Sequence, residues 1–98
     1  MEAVIVRIVG ATDAWQAAAD TARRRLTTAF GPQVQVEYYT ATSPEIGRFP
    51  QALALIRLGN APLPLVFIGE ELFSTGGKIQ IPEISRRLEV LGLRRDSP

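Results

Sequence analysis

The sequence predicts an α/β fold with the element order β-α-β-α-β-β-α around one four-stranded sheet. Two short runs rich in β-branched residues, Ala3–Val9 and Leu65–Ile68, have the composition of strands that are buried on both faces. The segment Val34–Tyr39 alternates apolar and polar residues, which is typical of an edge strand with one covered face. Between these segments, apolar residues recur at helical spacing.

The first helix is predicted to begin at Asp13, because Asp13 and Gln16 have the spacing of an N-terminal capping box. Gly31 and Pro32 follow its last turn in the usual order of a helix stop. The expected inward stripe consists of residues three or four positions apart, Trp15, Ala18, Ala22, Leu26 and Ala29.

The second helical segment is predicted to start with Ser43 as the N-cap and Pro44 as the first helical residue. Phe49 and Pro50 interrupt or restart it, and Gly59 with Asn60 ends it. The residues expected to face the core are Leu53, Ile56 and Leu55.

A hairpin is predicted after the third strand, with a tight turn at Glu70–Glu71 and a short fourth strand starting at Leu72–Phe73. A right-handed crossover places the second strand beside the first. The sheet order is therefore 2-1-3-4, a mixed sheet with helices on both faces. This order puts the two most apolar strands in the centre, in agreement with their composition.

The last helix is predicted to follow Gly76–Gly77, with Pro82 near its first turn and Gly92 as its stop. Its expected inward stripe is Ile84, Leu88 and Leu91. We expect a single domain over residues 1–98, with an ordered core over about residues 3–92 and a tail over 93–98.

The composition restricts the chemistry more than it names a function. The 98 residues include no cysteine and no histidine, so thiol catalysis, imidazole acid–base catalysis and the usual zinc sites are excluded. A net charge of +1 gives no reason to expect nucleic acid or a membrane as a partner. No apolar run approaches the length of a membrane span, and the first residues lack the basic region of a signal peptide, so a cytoplasmic location is expected.

The segment from Pro62 to Gly77 resembles the second half of a thioredoxin-type domain. Pro64 stands directly before the apolar third strand, with Leu63 ahead of it, and Gly76–Gly77 follows the fourth strand. With the topology above, the whole chain resembles the thioredoxin superfamily, most closely glutaredoxins and small archaeal-type thioredoxins. The resemblance implies a cis peptide bond between Leu63 and Pro64, whose preceding residue offers its backbone to a peptide or to glutathione.

The resemblance places the C-x-x-C motif of that family on the segment Asp13–Gln16, where both sulfurs are missing. The first helix is then capped by side chains at a place where active relatives carry a thiolate. The chain is therefore expected to be redox-inactive and not an enzyme, since no pair of carboxylates has acid–base spacing either.

Six residues are candidates for a binding site at this end of the predicted fold, although each has a structural alternative. Trp15 is a core residue or an exposed anchor, Pro64 and the glycines are turn residues or ligand contacts, and Lys78 is a charge near the glycines. The candidates are Trp15, Leu63, Pro64, Gly76, Gly77 and Lys78. No metal or cofactor is expected.

These observations favour non-covalent binding of a protein, an extended peptide or a second copy of the chain. Binding would use the region of Trp15, Leu63 and Pro64, or a sheet edge. The alternative is a site for a small anionic thiol-peptide such as glutathione, without thiol chemistry. A homodimer is slightly favoured over a monomer, because both predicted edge strands invite pairing.

Overall fold

One mixed sheet with helices on both faces forms the part of the chain described by the computed structural model, residues 3–11, 15–42, 44–59 and 62–94. The sheet order is β2-β1-β3-β4, as predicted. The elements are β1 (Val4–Gly10), α1 (Gln16–Phe30), β2 (Val34–Thr40), α2 (Pro50–Leu58), β3 (Leu65–Ile68), β4 (Glu71–Thr75) and α3 (Ile81–Val90). Short 3₁₀ turns at Gly31–Gln33 and Pro44–Arg48 precede β2 and α2.

The strand pairing makes β1 the centre of the sheet. It pairs parallel with β2 and antiparallel with β3, and β3 forms a hairpin with β4 that contains an irregularity between Val66 and Phe67. Arg7 pairs with Glu37 of β2 on one side and with Phe67 of β3 on the other. Because side chains alternate between the two faces along each strand, paired residues such as these share one face of the sheet. The edge positions of β2 and β4 confirm the prediction made from their polar pattern and short length.

Apolar residues form a separate cluster on each face of the sheet. On one face α1 and α3 cover the sheet, and their buried residues are Ala19, Ala22, Leu26, Phe30, Ile84 and Leu88. On the other face, α2 and the 3₁₀ turn before it contribute Ile46, Phe49 and Ala52 to a cluster with Val9, Leu65 and Phe67. The predicted placement of helices on both faces is confirmed.

The inward stripe of α1 is shifted from the predicted one. Ala19 and Phe30 are buried, whereas Ala18 and Ala29 are only half-buried. Three consecutive alanines leave the phase of the stripe open, and the large ring of Phe30 decides it by filling the core. The helix begins at Gln16 rather than at the predicted residue, and Asp13 lies outside the described residues.

The end of α3 also departs from the prediction. Leu91, predicted to face the core, is 52% exposed, and Leu93, predicted to lie in the tail, is 7% exposed and packs in the core. Gly92 has φ 104°, and the Leu93 N–H donates to the Leu88 carbonyl while the Gly92 N–H donates to the Glu89 carbonyl. This is a Schellman motif, which turns the chain back and returns an apolar residue to the helix it ends.

The remaining boundaries agree with the predicted ones to within a few residues. The helical residues after Phe49 form α2, in which Leu53 and Ile56 pack against the sheet, and Gly59 ends it with φ 68°. Ser43 and Asn60 lie outside the described residues. The hairpin turn is Gly69–Glu70, one residue earlier than predicted. Gly69 adopts φ 63°, which a glycine tolerates, and β4 begins at Glu71 directly after the turn.

Candidate functional site

The candidate site lies at the end of the sheet where β1 finishes and β3 begins. Val9 pairs with Leu65 in the antiparallel ladder, so the neighbouring residues Gly10 and Pro64 reach the same end. The peptide bond between Leu63 and Pro64 is cis, as predicted. Pro64 is buried and Leu63 is half-buried.

Trp15 is anchored against the last residue of β1. A Cβ atom added to Gly10 would lie 2.8 Å from Cβ and 3.2 Å from Cγ of Trp15, and 2.5 Å from the Tyr38 hydroxyl oxygen. Gly10 therefore has no room for a side chain, because real contacts between such carbon atoms are about 3.5–4.0 Å. Trp15 remains half-buried, so part of the residue is accessible at the surface.

The Pro64 loop is tied to the loop after β4. The Gly76 N–H donates to the Pro64 carbonyl at 2.8 Å. A Cβ atom on Gly76 would approach the Pro62 ring at 3.0 and 3.2 Å, and Gly76 has φ 69°. A glycine is thus required there both for its backbone conformation and for the close approach of Pro62.

The peptide groups of Leu63 take no part in the hydrogen bond between the two loops. Its N–H and carbonyl make no backbone hydrogen bond with any described residue, although Pro64 beside it does. A polar backbone group at a half-buried position needs a partner, which is water or a ligand when the chain supplies none. Leu63 can therefore offer one donor and one acceptor to an extended segment.

The other predicted site residues are placed less decisively. Gln16 is exposed at the beginning of α1, and Trp15 in the N-cap position makes no side-chain capping bond. Gly77 also has a positive φ, 70°, with open space around it. Lys78 is exposed and lines an open hollow of about 350 Å³ with Arg25 and the first residues of α3.

Sequence reasoning missed three residues that shape this end of the sheet, Gly10, Tyr38 and Pro62. Gly10 ends β1 with an ordinary strand conformation and is buried. A glycine directly after a run of β-branched residues is a signal for close approach of another group. The ring of Tyr38 gave no such signal, since its contact with Gly10 depends on the register of β2.

A second polar cluster occupies the face of the sheet that α2 covers. Glu37 Oε1 accepts from Arg7 Nε at 3.3 Å and from the Tyr39 hydroxyl at 2.8 Å. The Arg7 guanidinium lies 4.7 Å from the centre of the Phe49 ring. The Phe49 and Phe67 rings pack edge to face, with their centres 4.5 Å apart. The pKa of the Tyr39 phenol is raised above its ordinary value. Partial burial is the larger cause, and the hydrogen bond to Glu37 is the next.

Within the described ranges, no group of three or more acidic, cysteine or histidine residues could hold a metal ion. Among the described helices, none combines the length and the apolar character needed to cross a membrane.

Comparison with protein-family models, curated proteins and solved structures finds no match for this chain.

Proposed function

We propose that the chain is a redox-inactive, thioredoxin-like binding module of the cytoplasm, and that it takes an extended peptide of a protein partner at the Leu63–Pro64 end of the sheet. The observation that supports the proposal is the backbone of Leu63 beside Pro64, because the Leu63 N–H and carbonyl make no backbone hydrogen bond within the described part of the chain. An extended peptide that lies antiparallel to this residue can complete both hydrogen bonds.

The surroundings of Leu63 suit such a ligand. The half-buried ring of Trp15 lies at the same end of the sheet, and a large aromatic ring is a common anchor for bound peptides. The bond from Gly76 to Pro64 holds the loop before the ligand arrives, so little ordering accompanies binding. A chain without cysteine cannot hold a partner here by a disulfide bond.

The sole tryptophan makes the proposal easy to test, because Trp15 fluorescence reports on the site alone. Random linear peptides displayed on phage are selected on the immobilised protein, and the enriched peptides are titrated while the fluorescence is followed. We expect saturable changes in intensity or wavelength. The Gly76→Ala variant should weaken binding, because its new Cβ meets Pro62 at 3.0 Å and displaces the loop.

Val90→Ala is the matched control for loss of apolar surface, because Val90 is 78% exposed on α3. Because Trp15→Ala has no tryptophan signal, the variants are compared with wild type by the fluorescence anisotropy of a labelled peptide. Peptides that bind Trp15→Ala and Gly76→Ala as tightly as wild type would contradict the proposal, as would a selection that enriches no peptide. Circular dichroism of each variant separates lost binding from lost folding.

The hollow beside Lys78 favours a second candidate, a site for an anionic thiol-peptide of the glutathione type. The described lining of this hollow has two cations, Arg25 and Lys78, against the one carboxylate of Glu83, and Lys78 directly follows the paired glycines. Calorimetric titration with glutathione should then show binding that Lys78→Ala weakens, while Arg57→Ala, an exposed charge on α2, leaves it unchanged. No heat of binding at millimolar glutathione would remove this candidate.

A second copy of the chain is a third possible partner for the surface around Trp15. Light scattering determines the oligomeric state of the wild type. A dimer formed through this surface should dissociate in Trp15→Ala and persist in Val90→Ala. A dimer that survives in Trp15→Ala would have to use another surface.

A further inference from the structure

The outer edge of β2 presents a row of backbone groups, and their spacing follows from the parallel ladder. The Ala41 N–H donates to the Gly10 carbonyl, so Ala41 and every second residue before it direct their peptide groups toward β1. The residues between them direct theirs away from β1; the Val34 N–H is bonded to the Gly31 carbonyl, so the row offered to another strand is Val36, Tyr38 and Thr40. Such an edge is a template for another strand.

Arg23 of α1 lies across this edge. Its Nε donates to the Val36 carbonyl at 3.2 Å, and its Nη1 forms an ion pair with Asp20 at 3.1 Å, one turn earlier on the same helix. The Arg23 side chain is 47% exposed, so the guanidinium is held at the surface rather than buried. Asp20 thus keeps a cation at the middle of the edge.

This contact opposes strand addition in two ways. An incoming strand needs the Val36 carbonyl as an acceptor and has to displace the guanidinium from it. When the incoming strand is β2 of a second copy, a two-fold axis near Val36 places both Arg23 side chains, each with its Asp20 partner, in the space that the paired strands need. Charged side chains on edge strands are a recognised means of preventing such pairing.

We propose that Arg23 closes the β2 edge and prevents two copies of the chain from joining into a continuous sheet. The unguarded edge would suit a second copy, because β2 alternates Val34, Val36 and Tyr38 on the face covered by α1. A symmetric pair would place these apolar residues side by side on one face. The β2 edge is separate from the proposed peptide site, which lies where β1 ends and β3 begins. The two proposals are therefore independent.

The test compares Arg23→Ala with Arg24→Ala and wild type by light scattering from micromolar to submillimolar concentration. Arg24 is exposed on the same helix, and no hydrogen bond joins it to β2 among the described residues, so its variant matches the loss of charge. We expect the weight-average mass of Arg23→Ala to rise about twofold over that of wild type, as a symmetric pair requires, and Arg24→Ala to be unchanged.

Amide hydrogen exchange locates the contact. In concentrated Arg23→Ala the outward amides of Val36 and Tyr38 should exchange more slowly than in dilute samples, while in wild type their rates should not depend on concentration. An Arg23→Ala variant with the mass of wild type at every concentration would overturn the proposal. A heavier species without added protection at these amides would overturn it too, because the association would then use another surface.

Discussion

Gly10→Ala is the sharpest test of the packing that positions Trp15. The added methyl group would stand 2.8 Å from Trp15 Cβ and 2.5 Å from the Tyr38 hydroxyl oxygen. Rotation of a side chain relieves the second contact but not the first, because Cβ of Trp15 is fixed to its backbone. Either α1 moves away from the end of β1, or the strand bends.

The magnitude follows from two opposing effects. Overpacking of this kind costs about 1–3 kcal/mol, and replacing a strand glycine by alanine returns about 0.5–1 kcal/mol of backbone entropy. We therefore expect a net loss of ~1–2 kcal/mol in the free energy of unfolding. For a domain of this size, each kcal/mol lowers Tm by roughly 4–8 °C, so a decrease of about 5–15 °C is expected.

Urea unfolding followed by Trp15 fluorescence measures the loss, and the native emission spectrum should change as well, since the ring itself is displaced. In a double-mutant cycle, Tyr38→Phe should reduce the cost of Gly10→Ala by removing one of the two obstructing groups. A Gly10→Ala variant as stable as wild type, with an unchanged emission spectrum, would refute the assigned contact between Trp15 and Gly10.

Three further outcomes are expected. In a Tyr38→Phe background, absorbance titration should give Tyr39 a pKa above the free value of about 10, and Glu37→Gln should lower it. Because folding raises this pKa, the stabilisation by the neutral phenol is complete below the unfolded pKa and is lost as pH rises through the folded one. Leu93→Ala should destabilise by about 2–5 kcal/mol and exposed Leu91→Ala by much less, in denaturant unfolding; equal effects would show that Leu93 is not a core residue. Insulin reduction with dithiothreitol should proceed at the blank rate, and a protein-dependent rate would contradict loss of redox activity.

The strands and their order could be predicted because each carries an independent pattern. β1 and β3 are short and almost wholly apolar, β2 alternates, and the handedness of the crossover leaves few topologies. The stripe of α1 could not be phased in the same way. Ala17, Ala18 and Ala19 are equally able to face a core, and only the position of Phe30 against the sheet distinguishes them.

Residues whose role depends on tertiary contact were the ones that sequence analysis missed. Leu93 follows a glycine stop, a pattern that predicts a tail residue, yet Gly92 reverses the chain and buries it. Arg23 belongs to a run of three arginines that looks uniformly solvated, and only the placement of α1 over β2 separates it from Arg24. The cis bond at Pro64 was predicted from the family resemblance, not from any local pattern.

The central position of β1 has a consequence for the order in which the sheet is completed during synthesis. Val6 pairs with Val36 of β2 on one side and with Ile68 of β3 on the other. During synthesis β2 is therefore available early, whereas β3 is available only after most of the chain has left the ribosome. Until then, an apolar strand with an open flank is exposed to other nascent chains. We expect fragments that stop before β3 to aggregate, because they lack the strand that pairs with this flank of β1.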